Sequence, residues 1–277
     1  MKYLNLGCGA RFHPDWTNVD FVSSSPCVSA HDLNQGVPFP DGMFDVVYHS
    51  HVLEHFPKAK AQQFLKECWR VLVRGGVIRV AVPDLERIAR TYLESLERAS
   101  RGQCDWEHHY DWMMLELYDQ TVRTCSGGAM LKYLQRRPIP NEAFVFERLG
   151  AEARRIAQAS PVSDADVRPR PSSGANIWGR ISNFPATIRR VLLRVLLGQK
   201  GCDRLEVMRF RASGEIHQWM YDRFSLERLL RASGFHDPKR TSAAESRIPA
   251  WTAFNLDTEP DGSVYKPDSL YMEASKI

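Results

Sequence analysis

Gly7 and Gly9, flanking Cys8, and Asp20 soon after them are the first residues whose types and spacing suit chemistry. The stretch Lys2-Tyr3-Leu4-Asn5-Leu6 before them is a short apolar strand, and Trp16-Thr17-Asn18-Val19-Asp20 is a second strand ending in a carboxylate. Glycine has no Cβ, so a chain can turn sharply there and a ligand can approach the main chain. A carboxylate at the tip of the next strand is placed to accept hydrogen bonds from two ribose hydroxyls, as in dinucleotide-binding folds. The pair points to a nucleoside-containing cofactor across the carboxyl ends of parallel strands.

A dinucleotide fingerprint asks for a third glycine and an acid about 20 residues further on. Here Arg11 stands near the third-glycine position, and Asp20 arrives too soon for a full helix between the strands. A cofactor without a pyrophosphate, such as S-adenosylmethionine, needs less helix N-terminus. Taken alone, the two glycines also fit the turn of any α/β protein.

The following segments are His31-Asp32-Leu33-Asn34, Phe44-Asp45-Val46-Val47-Tyr48, Val52-Leu53-Glu54-His55 and Leu72-Val73-Arg74-Gly75-Gly76. With the Asn5-Leu6-Gly7-Cys8-Gly9 turn, this order resembles class I S-adenosylmethionine-dependent methyltransferases over roughly residues 1–90. Farther on come Gly214-Glu215-Ile216-His217, Trp219-Met220-Tyr221-Asp222 and Gly234-Phe235. They resemble a short-glycine-loop branch of that superfamily that accompanies cell-surface polysaccharide and glycosyl-transfer pathways. The resemblance implies an α/β, Rossmann-like, doubly wound, mostly parallel seven-stranded sheet that binds S-adenosyl-L-methionine. By it, Asp20 holds the ribose, Asp32 accepts from the adenine amino group, and Leu33 packs on the ring. Gly7 and Gly9 let the methionine portion and ribose lie on the backbone, and His49 and Ser50 contact the methionine end or the adenosine. Asn5 stands where many relatives carry an acid, so it can hydrogen-bond the cofactor without offering it a full charge.

The activity implied is O-methylation of a sugar hydroxyl in glycan or surface-polysaccharide biosynthesis. A non-catalytic cofactor-binding protein on the same fold, a methyltransferase for a non-sugar small molecule, and an aminopropyl transferase are the alternatives. Methyl transfer needs the acceptor atom held in line with the sulfonium carbon. A hydroxyl also benefits from a base that removes its proton, and histidine has the pKa for that task. The candidates are His217, His51 and His55, with Asp84 as an orienting group or alternative base. Glu215, His217 and Asp222 match no dedicated metal-binding spacing, so no metal is expected. Trp106, His108, His109, Tyr110 and Trp112 either line a sugar site or pack a helix.

The elements that position these groups follow from periodicity. Strands are expected at 2–6, 17–20, 27–31, 45–48, 77–82, 235–242 and 269–276. Helices are expected at 59–73, stopped by Gly75-Gly76, at 85–102, through 106–135 and at 225–233. Residues 1–94 and 206–277 form the core on this reading. Residues 95–205 form a helical insertion capping the active site, with a mobile Ser/Pro/Arg-rich loop near 159–176.

The 277 residues suffice for one such core with an insertion. The net charge of +4 does not call for nucleic acid. Six cysteines without a Cys-x-x-Cys pair fit free thiols in a reducing compartment. The first strand leaves no room for a signal peptide, so a cytoplasmic location is expected. The basic, apolar stretch 187–197 suggests contact with the inner face of a membrane or a lipid-linked substrate, or burial against the cap or a second copy. The expected partners are therefore a small-molecule or glycan acceptor and a homo-oligomeric copy.

Overall fold

The computed structural model describes residues 1–159 and 186–277, with backbone alone over 186–194. Seven strands form one sheet: β1 (Tyr3–Leu6), β2 (Thr17–Asp20), β3 (Val28–Ala30), β4 (Phe44–Ser50), β5 (Leu72–Pro83), β6 (His236–Thr241) and β7 (Ser269–Ser275). Their order is β3-β2-β1-β4-β5-β7-β6. Neighbours from β3 to β5 pair in parallel, and β7 runs antiparallel to both β5 and β6. The seven-stranded, mostly parallel α/β sheet expected from the sequence is therefore present.

The central strands β1, β4 and β5 are mostly buried because both faces of the sheet are covered there, whereas the edge strand β6 is polar and largely exposed. On one face, Phe64, Leu65 and Cys68 of α1 (Lys58–Val71) and Leu226 and Leu230 of α7 (Arg223–Ala232) pack on Leu4, Leu6, Val47 and Ile78. The other face of β1 and β4 carries an aromatic cluster rather than a helix. Trp16, Tyr48 and Trp251 are buried there, with Tyr3 and Phe254 against them. Arg79 is fully buried in β5 and pairs with Asp257 at 2.8 Å and Glu273 at 2.7 Å. Asp257 also accepts from the Tyr48 hydroxyl at 2.6 Å.

Gly75-Gly76 does not stop the helix. Helix α1 ends at Val71, and β5 begins at the next residue. The partners of β5 jump from Phe44↔Leu72 to Val46↔Val77, so the intervening residues bulge out of the ladder. Gly75, at φ 81°, is the residue that permits it.

After β5, α2 (Leu85–Ser100), α3 (Asp105–Val122), α4 (Gly128–Leu134) and α5 (Glu142–Gln158) build a second core around Ile88, Trp112, Met113, Tyr133 and Val145. The single helical stretch expected over 106–135 is two helices. Gly127 and Gly128 turn between them with positive φ, and a Cβ on Gly128 would meet Asp119 Oδ2 at 2.3 Å. That carboxylate instead accepts from the N–H of Ala129 at 2.7 Å and starts α4. Helix α6 (Ala186–Arg211) breaks its helical geometry at Gly198, φ 65°. The loop expected near 159–176 lies outside the described residues, as do the side chains of most of the 187–197 stretch. No helix among the described residues is long and apolar enough to cross a membrane.

Candidate active site

The glycine turn that leaves β1 is held from two sides. The N–H groups of Gly7 and Cys8 both donate to the Val19 carbonyl, at 2.8 and 3.2 Å, which ties the turn to β2. Gly7 sits at φ 65°, and a Cβ there would lie 2.3 Å from Val52 Cγ2. Gly9, at φ 55°, faces open space. Its N–H donates to Asp20 Oδ2 at 2.5 Å. Asn5 is buried beneath the turn, where its side-chain amide donates to the Arg11 carbonyl at 3.1 Å and to Asn18 at 3.3 Å.

Two cavities open beside this turn. One, of about 500 Å³, is lined by Asp20, Asp32, Leu33, His55 and Lys60. The other, of about 350 Å³, is lined by Asn5, Gly9, Ser50, Glu152 and Lys266. Gly7 and His51 border both. A nucleoside cofactor fits these residues: Gly9 offers bare backbone, Asp20 and Asp32 offer carboxylates, and Leu33 offers an apolar surface. Asp32 keeps its shape by accepting from Asn34 N–H at 3.0 Å as the cap of a short 3-10 turn.

The smaller cavity is rich in charge. Lys266 pairs with Glu152 of α5 at 3.1 Å. Burial pushes the Glu152 carboxyl up, but Lys266 outweighs it and holds the group below the usual range. Arg11 pairs with Glu259 at 3.1 Å and stacks over the Tyr265 ring at 4.1 Å.

Behind the junction of the cavities lies a carboxylate among imidazoles. Glu54 is fully buried. His51 Nδ1 lies 3.3 Å and His217 Nε2 lies 3.9 Å from its Oε1. Burial raises the Glu54 pKa, but His51, His217 and His55 together hold it well below the carboxylate range. Burial pushes His217 down to about 3 against the pull of Glu54. It likewise lowers His55, whose Nδ1 sits 3.1 Å from the Ile216 carbonyl. His51 Nε2 lies 2.8 Å from the Ser269 hydroxyl. His51 itself adopts φ 54°.

The structure thus gathers Asn5, Gly7, Gly9, Asp20, Asp32, Leu33, Ser50, His51 and His55 around the cavities. It withholds three other candidates. His49 points to the opposite face of β4, where its ring packs 5.2 Å from Phe64 and burial lowers its pKa to about 4. The two-residue alternation of a strand puts Tyr48 and Ser50 on the cavity side and His49 in the core. Asp84 is the N-cap of α2, accepting from Arg87 N–H at 3.1 Å and meeting Arg240 at 3.4 Å, and it lines neither cavity. His217 is 5 % exposed and also lines neither.

Glu215, His217 and Asp222 do not converge. Glu215 accepts from Ser126 at 2.6 Å, and Asp222 forms a capping box with Ser225 at the start of α7. In the aromatic run at 106–112, Trp112 packs the helical layer, fully buried and donating to Glu116 at 2.5 Å, while Tyr110 and His109 meet Tyr92 and Phe144 and His108 is exposed. Glu54, Glu152, Lys266 and Ser269 were not anticipated as site residues. Glu54 had a signal, being adjacent to His55 just past a strand end. Ser269 opens the strand expected at 269–276, but nothing local shows that it meets His51; Glu152 and Lys266 come from segments whose position no local pattern reveals.

Residues 22–80 match the family model described as a methyltransferase domain. No curated protein matches the sequence. Among solved structures, the cyclase SpnF is 21% identical over 29% of this chain and 38% of its own, with a TM-score of 0.24. A methyltransferase solved with a Haloferax volcanii methyltransferase activator is 12% identical over 99% of this chain and 81% of its own, TM-score 0.39. An S-adenosylmethionine-dependent methyltransferase from Thermotoga maritima is 11% identical over 100% and 82%, TM-score 0.38. The chain spans well under half the length of SpnF. The match spans 59 residues and marks that segment as similar to a methyltransferase domain.

Proposed function

We propose that the enzyme methylates a hydroxyl oxygen of a sugar-containing acceptor bound in the smaller cavity, with His51 as the base. The observation that carries this reading is the position of His51 on the wall shared by both cavities. The adenosine half of the cofactor lies along Asp20, Asp32 and Leu33. The glycine turn leads its methionine end toward Ser50 and His51. Glu152, Lys266, Arg155 and Tyr265 give the smaller cavity the dense donors and acceptors that a polyhydroxylated ligand requires. A glycan-pathway role rests on the sequence resemblance of the tail segments.

Bound S-adenosylmethionine supplies a methyl group already activated by the positive charge on sulfur. What remains for the protein is to place the acceptor oxygen in line and to take its proton. With Nδ1–H directed at the Glu54 carboxylate, His51 Nε2 is the accepting nitrogen, and the Ser269 hydroxyl that lies 2.8 Å from it must turn aside for the acceptor. With the cofactor bound, the acceptor oxygen would take the methyl carbon as the carbon–sulfur bond breaks, and the role of His51 would be to receive the hydroxyl proton at Nε2. The imidazolium that forms is stabilised by Glu54, which stays ionised. Glu54 is therefore a positioning residue for His51.

The test is incorporation of labelled methyl into a panel of nucleotide sugars and glycans. Labelled sugar product that disappears in His51→Asn supports the reading. Asparagine is chosen because it tolerates positive φ better than alanine. Transfer only to non-sugar acceptors, or full turnover in the variant, would contradict it.

A further inference from the structure

We propose that Glu54, His55 and His217 form a buried site for one divalent transition-metal ion of the zinc class, behind the cofactor cleft. The proposal does not depend on which acceptor is methylated. The ligand atoms of the three residues lie within 4.8 Å of one another. Neither oxygen of the fully buried Glu54 carboxylate has a well-formed hydrogen bond among the described residues; its nearest polar groups are His51 Nδ1 at 3.3 Å and His217 Nε2 at 3.9 Å from Oε1. A buried carboxylate without a compensating charge is costly, and such groups are paired or coordinate metals.

The surroundings are prepared for ligation. His55 has its Nδ1 on the Ile216 carbonyl at 3.1 Å, which assigns that nitrogen the proton and leaves the Nε2 lone pair free. This is the outer-shell arrangement that orients metal-bound histidines. His217 is itself 5 % exposed, and its ring stands edge-on to that of His55 with the centroids 4.8 Å apart. The backbone fixes the segments against each other: Gln218 N–H donates to the Glu54 carbonyl at 2.7 Å, and His217 N–H donates to the Gln120 carbonyl at 2.9 Å. Arg123, the guanidinium felt by both imidazoles, donates instead to the Glu215 carbonyl.

Two imidazoles and a carboxylate suit zinc, cobalt or iron rather than magnesium or calcium, which prefer oxygen ligands. Three protein ligands leave a fourth position for water. A carboxylate oxygen has two lone pairs, so Glu54 Oε1 can bind metal and still accept from His51. The ion would balance Glu54 and clamp the turn after β4 to the segment preceding α7.

The experiment uses the full chain without an affinity tag, stripped with a chelator and titrated with Co²⁺ and then Zn²⁺. Expected are one metal per chain by elemental analysis and a tetrahedral Co²⁺ spectrum without a thiolate charge-transfer band. Glu54→Gln and His217→Asn should each weaken uptake at least tenfold, whereas His236→Ala, an exposed control, should not. Absence of stoichiometric uptake by the wild type would overturn the proposal even if a variant misfolds. So would a spectrum dominated by thiolate, since the chain has free cysteines at 27, 104 and 125. S-adenosylmethionine binding by the stripped protein is measured alongside, so loss of the metal site is separable from loss of the cofactor site.

Discussion

The carboxylate of Asp20 accepts the backbone N–H of Gly9 at 2.5 Å, so the end of β2 holds the turn that follows β1. One oxygen therefore shapes the backbone cradle, while Oδ1 has only a 3.5 Å contact with Val22 N–H. Asp20→Ala is expected to weaken S-adenosylmethionine binding by several-fold to a hundredfold. Hydrogen bonds to a charged group contribute about 1.5–3 kcal/mol, and each 1.4 kcal/mol is about tenfold in affinity. Calorimetric titration measures it, and wild-type affinity in the variant would remove Asp20 from the site.

The two glycines of the turn should respond differently to alanine. At Gly7 the new methyl meets Val52, so Gly7→Ala should lower the unfolding midpoint markedly, with overpacking alone costing about 1–3 kcal/mol. Gly9→Ala meets no neighbour and loses only the left-handed backbone preference, about 1–2 kcal/mol. Its methyl projects where the cofactor approaches, so binding should fall more than stability. Urea melts and titrations on both variants decide, and the reverse ranking would show that the cradle is drawn wrongly.

The Arg79 cluster joins β5 to β7 through Glu273 and to the segment before β7 through Asp257. Burial pushes the Asp257 carboxyl up, with Arg79 and the Tyr48 hydrogen bond opposing. Arg79→Ala leaves two buried carboxylates without their partner and is expected to cost about 3–5 kcal/mol. Chemical denaturation checks this, and a loss below about 1 kcal/mol would mean the cluster relaxes into water.

Asp222 caps α7 rather than binding metal. Its pKa is lowered first by the Ser225 N–H hydrogen bond. A depressed folded pKa means this stabilisation is complete above the unfolded value near 3.9. It fades as pH falls through the folded value. Asp222→Ala should cost about 1 kcal/mol at pH 7, and less at pH 3. An equal loss at both pH values would show that the charge contributes nothing to the cap.

Much of the fold was legible because it is written locally. The Val46–Tyr48 and Val80–Val82 runs are apolar without alternation, as a doubly covered strand demands, and Asp20 closes a strand too close to Gly9 for an intervening helix. The failures share one cause. His49 and Ser50 are neighbours in sequence, and only the strand's pleat decides which meets the cavity. Asp84 and Asp222 carry the same side chain as a catalytic acid, but each is consumed by the helix that follows it. Lys266 and Glu152 reach the cavity from segments over a hundred residues apart, and nothing in their local sequence says that they pair. Gly75-Gly76 has the composition of a helix stop and serves as a bulge because β5 starts a turn earlier.

The central claim is that the cofactor bridges the two cavities with its reactive end at His51. A crystal structure with S-adenosylhomocysteine tests it most directly. The expected result is ribose hydroxyls on the Asp20 carboxylate, adenine between Asp32 and Leu33, and the sulfur facing His51 at the mouth of the smaller cavity. Adenine in the Lys266–Glu152 chamber, or a sulfur turned away from His51, would contradict the account.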